Sequence, residues 1–378
     1  MRLFKQILIF VAIMSAAGGA LAAEASHELQ KDFNVSSGGK LIVNVNGSDI
    51  MVRTWDKAQV QMTVENIGDD ADRVHSEQDR NTVIVNYRTH GGMWNNNNDV
   101  RFHFYVPKQF NLDLTTSGGD IGTAGALTGN VLLTTSGGNL TIDKVNGKVN
   151  GRTSGGDVTV NSVGDNSELA TSGGNIKVEN AGGNLKLSTS GGDISVGDVG
   201  GALEAFTAGG NVHIRKVGGE LQASTSSGDV TVGNVGGSAA IFTSGGNIYL
   251  TSANGRVKAS TSGGDVDING VVGSVNASSS GGTVKVSLTP KGSGRSEITS
   301  TGGDVYLFIP AGASASIQAD VAGGNSKDDI DSDFPMTTHG GHFGFEKAEI
   351  VLHGGGQEIN LRTTSGTVYV KKMSSIKK

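Results

Sequence analysis

Few residues in this chain combine the types and spacing that chemistry needs, and several of those lie near its C-terminal end. His339-Gly340-Gly341-His342, together with His353, could offer three imidazoles to a transition metal. Histidines in a polar loop are the commoner case, so no metal and no cofactor are assigned. Asp329-Ile330-Asp331-Ser332-Asp333 begins like a calcium loop. However, Phe334 stands where that loop needs glycine, and Gly340 where it needs its bidentate Glu. The glycine-rich turns lack a following Gly-Lys-Ser/Thr, so a phosphate-cradling loop of that type is excluded. The chain has no cysteine, which removes thiolate catalysis, Cys-based zinc sites and disulfides. No Ser/His/Asp order and no convergent carboxylate pair stands out, so the expectation is a protein that is not an enzyme.

A second group of polar residues recurs with a strict rhythm. Asp120, Asn139, Asp157, Asn175, Asp193, Asn211, Asp229, Asn247 and Asp265 each follow a glycine pair, or Ser-Gly before Asp229, and Asp and Asn alternate. On a coil of one repeat they form a single column at a strand spacing of roughly 4.8 Å. Neighbouring carboxylates would repel there, whereas interleaved Asn doubles the carboxylate spacing and supplies amide donors between them. The reading is a structural turn ladder. Calcium–oxygen distances of about 2.3–2.6 Å cannot bridge carboxylates held so far apart.

Aromatic side chains on outward positions are the remaining candidates for a binding surface. Phe206 and Phe242 share one column two coils apart with Ser224 between them, and His213 and Tyr249 have the same relation on the other face. Rings spaced about 9.6 Å apart on a rigid sheet could stack sugars. The rival reading is that single exposed apolar residues are ordinary and need no function. An ice-binding array fits poorly, because the repeated Thr points inward and Lys186, Glu204, Gln222 and Lys258 mix the outer face.

What must position these residues is a repeat. Thr-Ser-Gly-Gly and its variants begin at Thr116, Thr135, Thr153, Thr171, Thr189, Thr207, Thr225, Thr243, Thr261, Ser279 and Ser300. The spacings are 19, then eight of 18, then 21. A fixed period of this kind marks a solenoid. Within each period a second glycine pair, such as Gly182-Gly183 or Gly200-Gly201, divides the coil into two short alternating strands. Inward pairs are expected at Val158/Val160, Ile176/Val178 and Ile194/Val196, and inward triplets at Leu185/Leu187/Thr189 and Leu203/Ala205/Thr207. Val163, Val199, Val217 and Val235 are expected to plug the second corner. The corner glycines are expected to need either positive φ or close backbone approach. The fold class is therefore all-β, a single-stranded β-solenoid (β-helix or β-roll-like) with 18-residue coils, capped at both ends.

Four segments follow from this pattern. Residues 1–22 read as a signal peptide: Arg2 and Lys5, the apolar run from Ile7 to Met14, and Ala20-Leu21-Ala22 as the cleavage site. Residues 23–115 form an N-terminal β cap with the first irregular coils, broken by polar excursions at Gly68–Arg80 and His90–Asp99, and holding Trp55 and Trp94 to cover the first rung. Residues 116–304 are the regular repeats. Residues 305–378 form a C-terminal β cap with an acidic and histidine-containing loop at 323–347. No second stretch reaches the roughly 20 residues of a membrane span.

Composition agrees with this assignment. Of 378 residues 60 are glycine and only 4 proline, aromatics are 5%, and apolar residues still reach 36%. Net charge is -6, falling to -8 once Arg2 and Lys5 are removed, which argues against nucleic acid as a partner.

The repeated Thr-Ser-Gly-Gly-Asp/Asn-Val/Ile units, Gly39-Lys40-Leu41-Ile42-Val43, Asp49-Ile50-Met51-Val52, Val106-Pro107, and the closing Leu361-Arg362-Thr363-Thr364-Ser365-Gly366-Thr367-Val368 together resemble the bacterial putative-adhesin family of exported β-solenoids, a domain of unknown function. The resemblance covers roughly residues 33–372 and implies a surface or envelope role without supplying catalytic residues. The function expected is an exported, non-enzymatic scaffold in periplasm, at the cell surface or secreted, with a glycan or an envelope or surface protein as partner. Two alternatives stay open. One is a periplasmic structural or stress-related protein without external ligand, and the other a polysaccharide-active solenoid with acidic residues near Asp328–Asp333 at work.

Overall fold

Strand formation begins with alternating triplets. In Val158-Thr159-Val160 and its equivalents both β-branched side chains turn inward and the polar one outward. The computed structural model describes residues 28–88, 100–323, 329–340 and 345–373. Apart from one short 3-10 turn at Gly68–Arg73, the regular elements among the described residues are strands. From Val158 to Phe242 each 18-residue coil carries a six-residue strand and a four-residue strand, such as Val158–Val163 and Ser167–Ala170. The longer strands stack in parallel as sheet 1 and the shorter as sheet 2. Val158 lies opposite Ile176, then Ile194, Val212 and Val230. The solenoid and its 18-residue repeat are thus those expected.

The inward positions are buried as the alternation requires. The longer strand bends after its third residue, since pairing skips Asn161, Glu179 and Arg215. The bend turns Val163, Val199, Val217 and Val235 into the core. One coil buries Ile176, Val178, Ala181, Leu185 and Leu187. Burial is worth about 1.5–3 kcal/mol for each large side chain. Ordering the backbone of such a coil costs about 1–2 kcal/mol per residue. A lone coil therefore cannot fold, and stacking on neighbours supplies the difference.

The corner glycines answer the choice between positive φ and close approach. Gly156, Gly174, Gly192 and Gly210 are absent from the positive-φ residues. A Cβ built on Gly174 would overlap the carbonyl oxygen of Gly156 one coil earlier. A Cβ on its neighbour Gly173 meets nothing nearer than 3.6 Å. The sequence agrees, because Ser227 occupies the first position of its corner while Gly228 keeps the second.

Chain order and stacking order part company at both ends. The coil formed by Gly39–Val45 and Asp49–Trp55 lies beneath the one formed by Thr82–Tyr87 and Arg101–Pro107, against Phe110–Thr115 and Ile121–Thr128. The last coil, Gln357–Thr363 and Val368–Lys372, likewise slots between Ser296–Ser300 with Val305–Ile309 and the outer strands Ala315–Ala322 and Ile330–Ser332. Antiparallel strands then cover the ends: Leu29–Asn34 and Gln59–Glu65 on sheet 1, and His75–Asp79, Phe345–Leu352 and Thr337–Gly340 on sheet 2.

Several expectations about the caps change. The excursion at 68–80 holds the 3-10 turn and a paired strand, His75–Asp79, because its polar residues lie on an outer edge. The loop at 323–347 contributes Ile330–Ser332, Thr337–Gly340 and the start of Phe345–Leu352 to the two sheets. Phe102, Phe104, Tyr87 and Met62 fill the N-terminal cap, while Trp55 stacks on Tyr105 with ring centres 5.1 Å apart. The excursion His90–Asp99, and Trp94 with it, lies outside the described residues. The Asp/Asn ladder also starts before residue 116, since the Asp120 N–H donates to Asp49 Oδ1 at 2.9 Å.

The two glycines of one corner make a controlled comparison. Gly174→Ala is expected to lower stability by about 1–3 kcal/mol through overpacking. Gly173→Ala should stay within about 0.5 kcal/mol. Urea denaturation midpoints of the two variants against the parent check this difference.

Candidate functional site

The corner is built from two hydrogen-bonded columns. Each Thr side chain, 2–7% exposed from Thr116 to Thr261, turns inward beside the glycines. Thr171 Oγ1 donates to the Gly156 carbonyl at 2.8 Å and accepts from its own corner's Gly174 N–H at 3.3 Å. The same pair of bonds recurs at Thr153, Thr189, Thr207, Thr225, Thr243 and Thr261. One buried hydroxyl therefore ties two coils and satisfies two backbone groups.

The Asp/Asn column bonds differently from the expected amide-to-carboxylate ladder. Each side-chain Oδ1 accepts the backbone N–H of the next residue in the column, at 2.6–2.9 Å, from Asp49 through Asp120 to Asp265 and Thr283. Amide donation from side chain to side chain is seen from Asn139 to Asp120 at 3.3 Å and from Asn211 to Asp193 at 3.4 Å. Both residue types supply the oxygen that the N–H needs, so the alternation is left to govern charge. Two carboxylates are never neighbours between Asp120 and Asp265.

The chemistry-bearing residues of the C-terminal cap are drawn into structural contacts. Lys371 Nζ lies 2.8 Å from Asp331 and 3.3 Å from Asp333, and Asp333 also accepts the Lys372 N–H at 2.9 Å. That backbone hydrogen bond, aided by Lys371, holds the Asp333 carboxyl below the usual carboxylate range. These contacts clasp Ile330–Ser332 onto the last strand. His353 Nε2 sits 3.0 Å from the Ala311 carbonyl, His339 is exposed, and His342 lies outside the described residues. Among the described residues no set of three His, Asp or Glu is arranged to hold a metal.

The two aromatic pairs fall on different sheets. Phe206, Ser224 and Phe242 are in register on sheet 2, and His213, Thr231 and Tyr249 on sheet 1. No single ligand ring can touch both pairs. Tyr249 is 43% exposed, whereas Phe206 and Phe242 are half-buried.

A larger aromatic cluster escapes sequence reading. On sheet 1 the Tyr306 and Tyr369 rings stack at 4.3 Å and 6° on adjacent coils, with Phe308 6.3 Å from Tyr306. Lys285 and Lys371 place their ammonium groups 5.5 and 5.9 Å from the Tyr306 and Tyr369 ring centres. Burial, then the Asp304 carboxylate, pushes the Tyr306 hydroxyl up to about 12. The two tyrosines stand far apart in sequence, so the 18-residue period gives no hint that they meet. Alternation in Val305–Ile309 and Val368–Lys372 shows both pointing outward, and only the pairing of these strands brings them together.

Two predictions follow from these columns. Asn211→Asp places three carboxylates on adjacent coils, and should cost about 0.2–1 kcal/mol. The loss should shrink in high salt, which screens exposed charges; denaturation midpoints at low and high sodium chloride measure it. For Tyr306 the folded value lies above the ordinary 10.0, so its contribution is complete below pH 10 and is lost as pH rises toward about 12. The parent should lose more stability over that window than Tyr306→Phe, as read by melting temperature against pH.

Residues 39–234 and 201–371 match the family described as Toastrack DUF4097. No curated protein matches. Three solved structures are similar to the chain at low identity. A putative cell adhesion protein from Clostridium sporogenes is 8% identical over 92% of this chain and 100% of its own, with a TM-score of 0.18. A putative adhesin from Bacteroides fragilis is 11% identical over 92% and 97%, with a TM-score of 0.23. A putative lipid binding protein from Parabacteroides distasonis is 16% identical over 69% and 93%, with a TM-score of 0.26. With family matches running over most of its length, the chain belongs to the Toastrack DUF4097 family.

Proposed function

We propose that the protein is an exported, non-enzymatic scaffold of the cell envelope or surface, which holds a glycan or protein partner on its flat faces. The observation that carries this reading is the unbroken register of both sheets. From Leu140 to Val266 the sheet 1 strands keep one register on both sides of the bend, and the outward side chains fall into columns of fixed spacing. Such a body presents side chains on a stiff lattice, which suits adhesion better than turnover. The pairs Phe206/Phe242 and His213/Tyr249 are the proposed contact positions, one pair to each face.

Export rests on Arg2, Lys5, the apolar run to Met14 and Ala20-Leu21-Ala22, all outside the described residues. Among the described residues no helix is long and apolar enough to cross a membrane. The engagement of Asp331 and Asp333 with Lys371 counts against the polysaccharide-active alternative, whose acids would have to be free to reach a substrate.

Protease treatment of intact cells, followed by fractionation and detection of the mature chain, tests the placement. Cleavage from intact cells, or release into the medium, is the expected result. Protection until the envelope is opened would exclude adhesion to outside surfaces and favour a periplasmic structural protein.

A further inference from the structure

Phe206, Ser224 and Phe242 stand in one outward column of sheet 2 on three successive coils. At about 4.8 Å per coil the two phenylalanines are roughly 9.6 Å apart, with only a serine side chain between them. Adjacent coils would leave no such gap, as the stacked Tyr306 and Tyr369 rings show at 4.3 Å. Lys258, on the coil beyond Phe242, places its ammonium 5.4 Å from that ring and occupies its outer side. Phe206, Ser224 and Phe242 each keep part of their surface exposed.

The width of the slot selects among guests. A flat aromatic ring held on both faces needs walls about 7 Å apart, twice a carbon–carbon contact of about 3.5 Å. The slot is wider than that. A pyranose chair is thicker, because its axial hydrogens project on both sides, and it reaches both rings with C–H groups.

Beside the slot, the same coils form a shallow depression on the outer face of sheet 2. Glu204, Glu220, Gln222, Arg256 and Lys258 line it, around the small side chain of Ala240. Two acids and two bases balance, which favours hydroxyl groups over a charged ligand. Gln222 lies two residues from Ser224 on the same strand, about 6.8 Å away. The next unit of a sugar chain falls across it.

Resting on the reading of the sheets as display faces, we propose that this slot binds a neutral pyranose unit of a glycan chain. The sugar ring lies over Ser224 between Phe206 and Phe242, and the adjoining unit takes hydrogen bonds from Gln222 and the charged groups of the depression.

Saturation-transfer NMR on the full chain, with methyl β-glucopyranoside, methyl α-mannopyranoside, methyl β-galactopyranoside and phenol as separate probes, reads the contact. At least one sugar is expected to show transfer to its ring C–H groups. Its affinity should fall about tenfold in Phe206→Ala and in Phe242→Ala. Ser224→Phe should abolish it by filling the gap, with a circular dichroism spectrum and melting curve like the parent's. Should Ser224→Phe misfold, the two alanine variants carry the test. Transfer unchanged in these variants overturns the site, as does silence from all three sugars. Phenol binding more tightly than any sugar, through the same residues, overturns the pyranose assignment. Surface exposure is measured independently by proteolysis of intact cells, so a silent slot on an exposed protein sinks this site and leaves the display reading standing.

Discussion

At the second glycine of each Thr-Ser-Gly-Gly corner, the backbone of one coil packs against the carbonyl of the coil before it, with no room for a Cβ. That approach sets the rise between coils and brings the Thr hydroxyl, or that of Ser279, within 2.7–2.9 Å of the same carbonyl. A buried hydroxyl that bonds twice costs little, whereas one left unpaired costs about 1–3 kcal/mol. Thr is therefore admitted to a column otherwise reserved for apolar side chains. The outer side of the corner obeys the same constraint. The N–H after each glycine pair faces the coil before, and an Asp or Asn oxygen there receives it. Glycine, Thr and Asp or Asn are three consequences of one backbone contact.

The ends show what the contact cannot do for itself. A coil with a neighbour on one side only leaves a row of unpaired N–H and C=O groups, which invites pairing with another molecule. Here the coils Gly39–Trp55 and Gln357–Lys372 are inserted beneath layers built from segments that lie between them in the chain. Both neighbours of an inserted coil are then present. The open edges pass to short or antiparallel strands, such as Ile330–Ser332 and His75–Asp79. At the C-terminal joint the Tyr306–Tyr369 stack and the Lys371 clasp add contacts across the out-of-order interface.

The regular body was legible because one period controls every position in it. Burial at Val158, Val160, Leu185, Leu187 and Thr189 follows from alternation alone. The direction of the Asp/Asn bonds was not legible, since residue types reveal an acceptor but not which N–H it meets. The caps were legible as strands and not as an order of layers. Pairing of Ser296–Ser300 with Gln357–Thr363 spans the antiparallel pair formed by Ala315–Ala322 and Phe345–Leu352, and no spacing in the sequence encodes it. For the same reason the shared column of Phe206 and Phe242 within the repeat could be picked out, while the contact of Tyr306 with Tyr369 could not.

These constraints also decide where specificity can reside. Inward positions must be apolar, corner positions must satisfy the backbone, and what remains free is the outward face of each strand. On sheet 2 that is two residues per coil, such as Glu204 and Phe206. Whether an aromatic there serves structure or binding depends on its neighbours in the column. Rings on adjacent coils close on each other and give up their faces, as Tyr306 and Tyr369 do. Rings separated by a small residue cannot stack on each other, and the backbone fixes the distance between them. A solenoid thus builds a gap of set width by substituting one outward residue, with no change to its core.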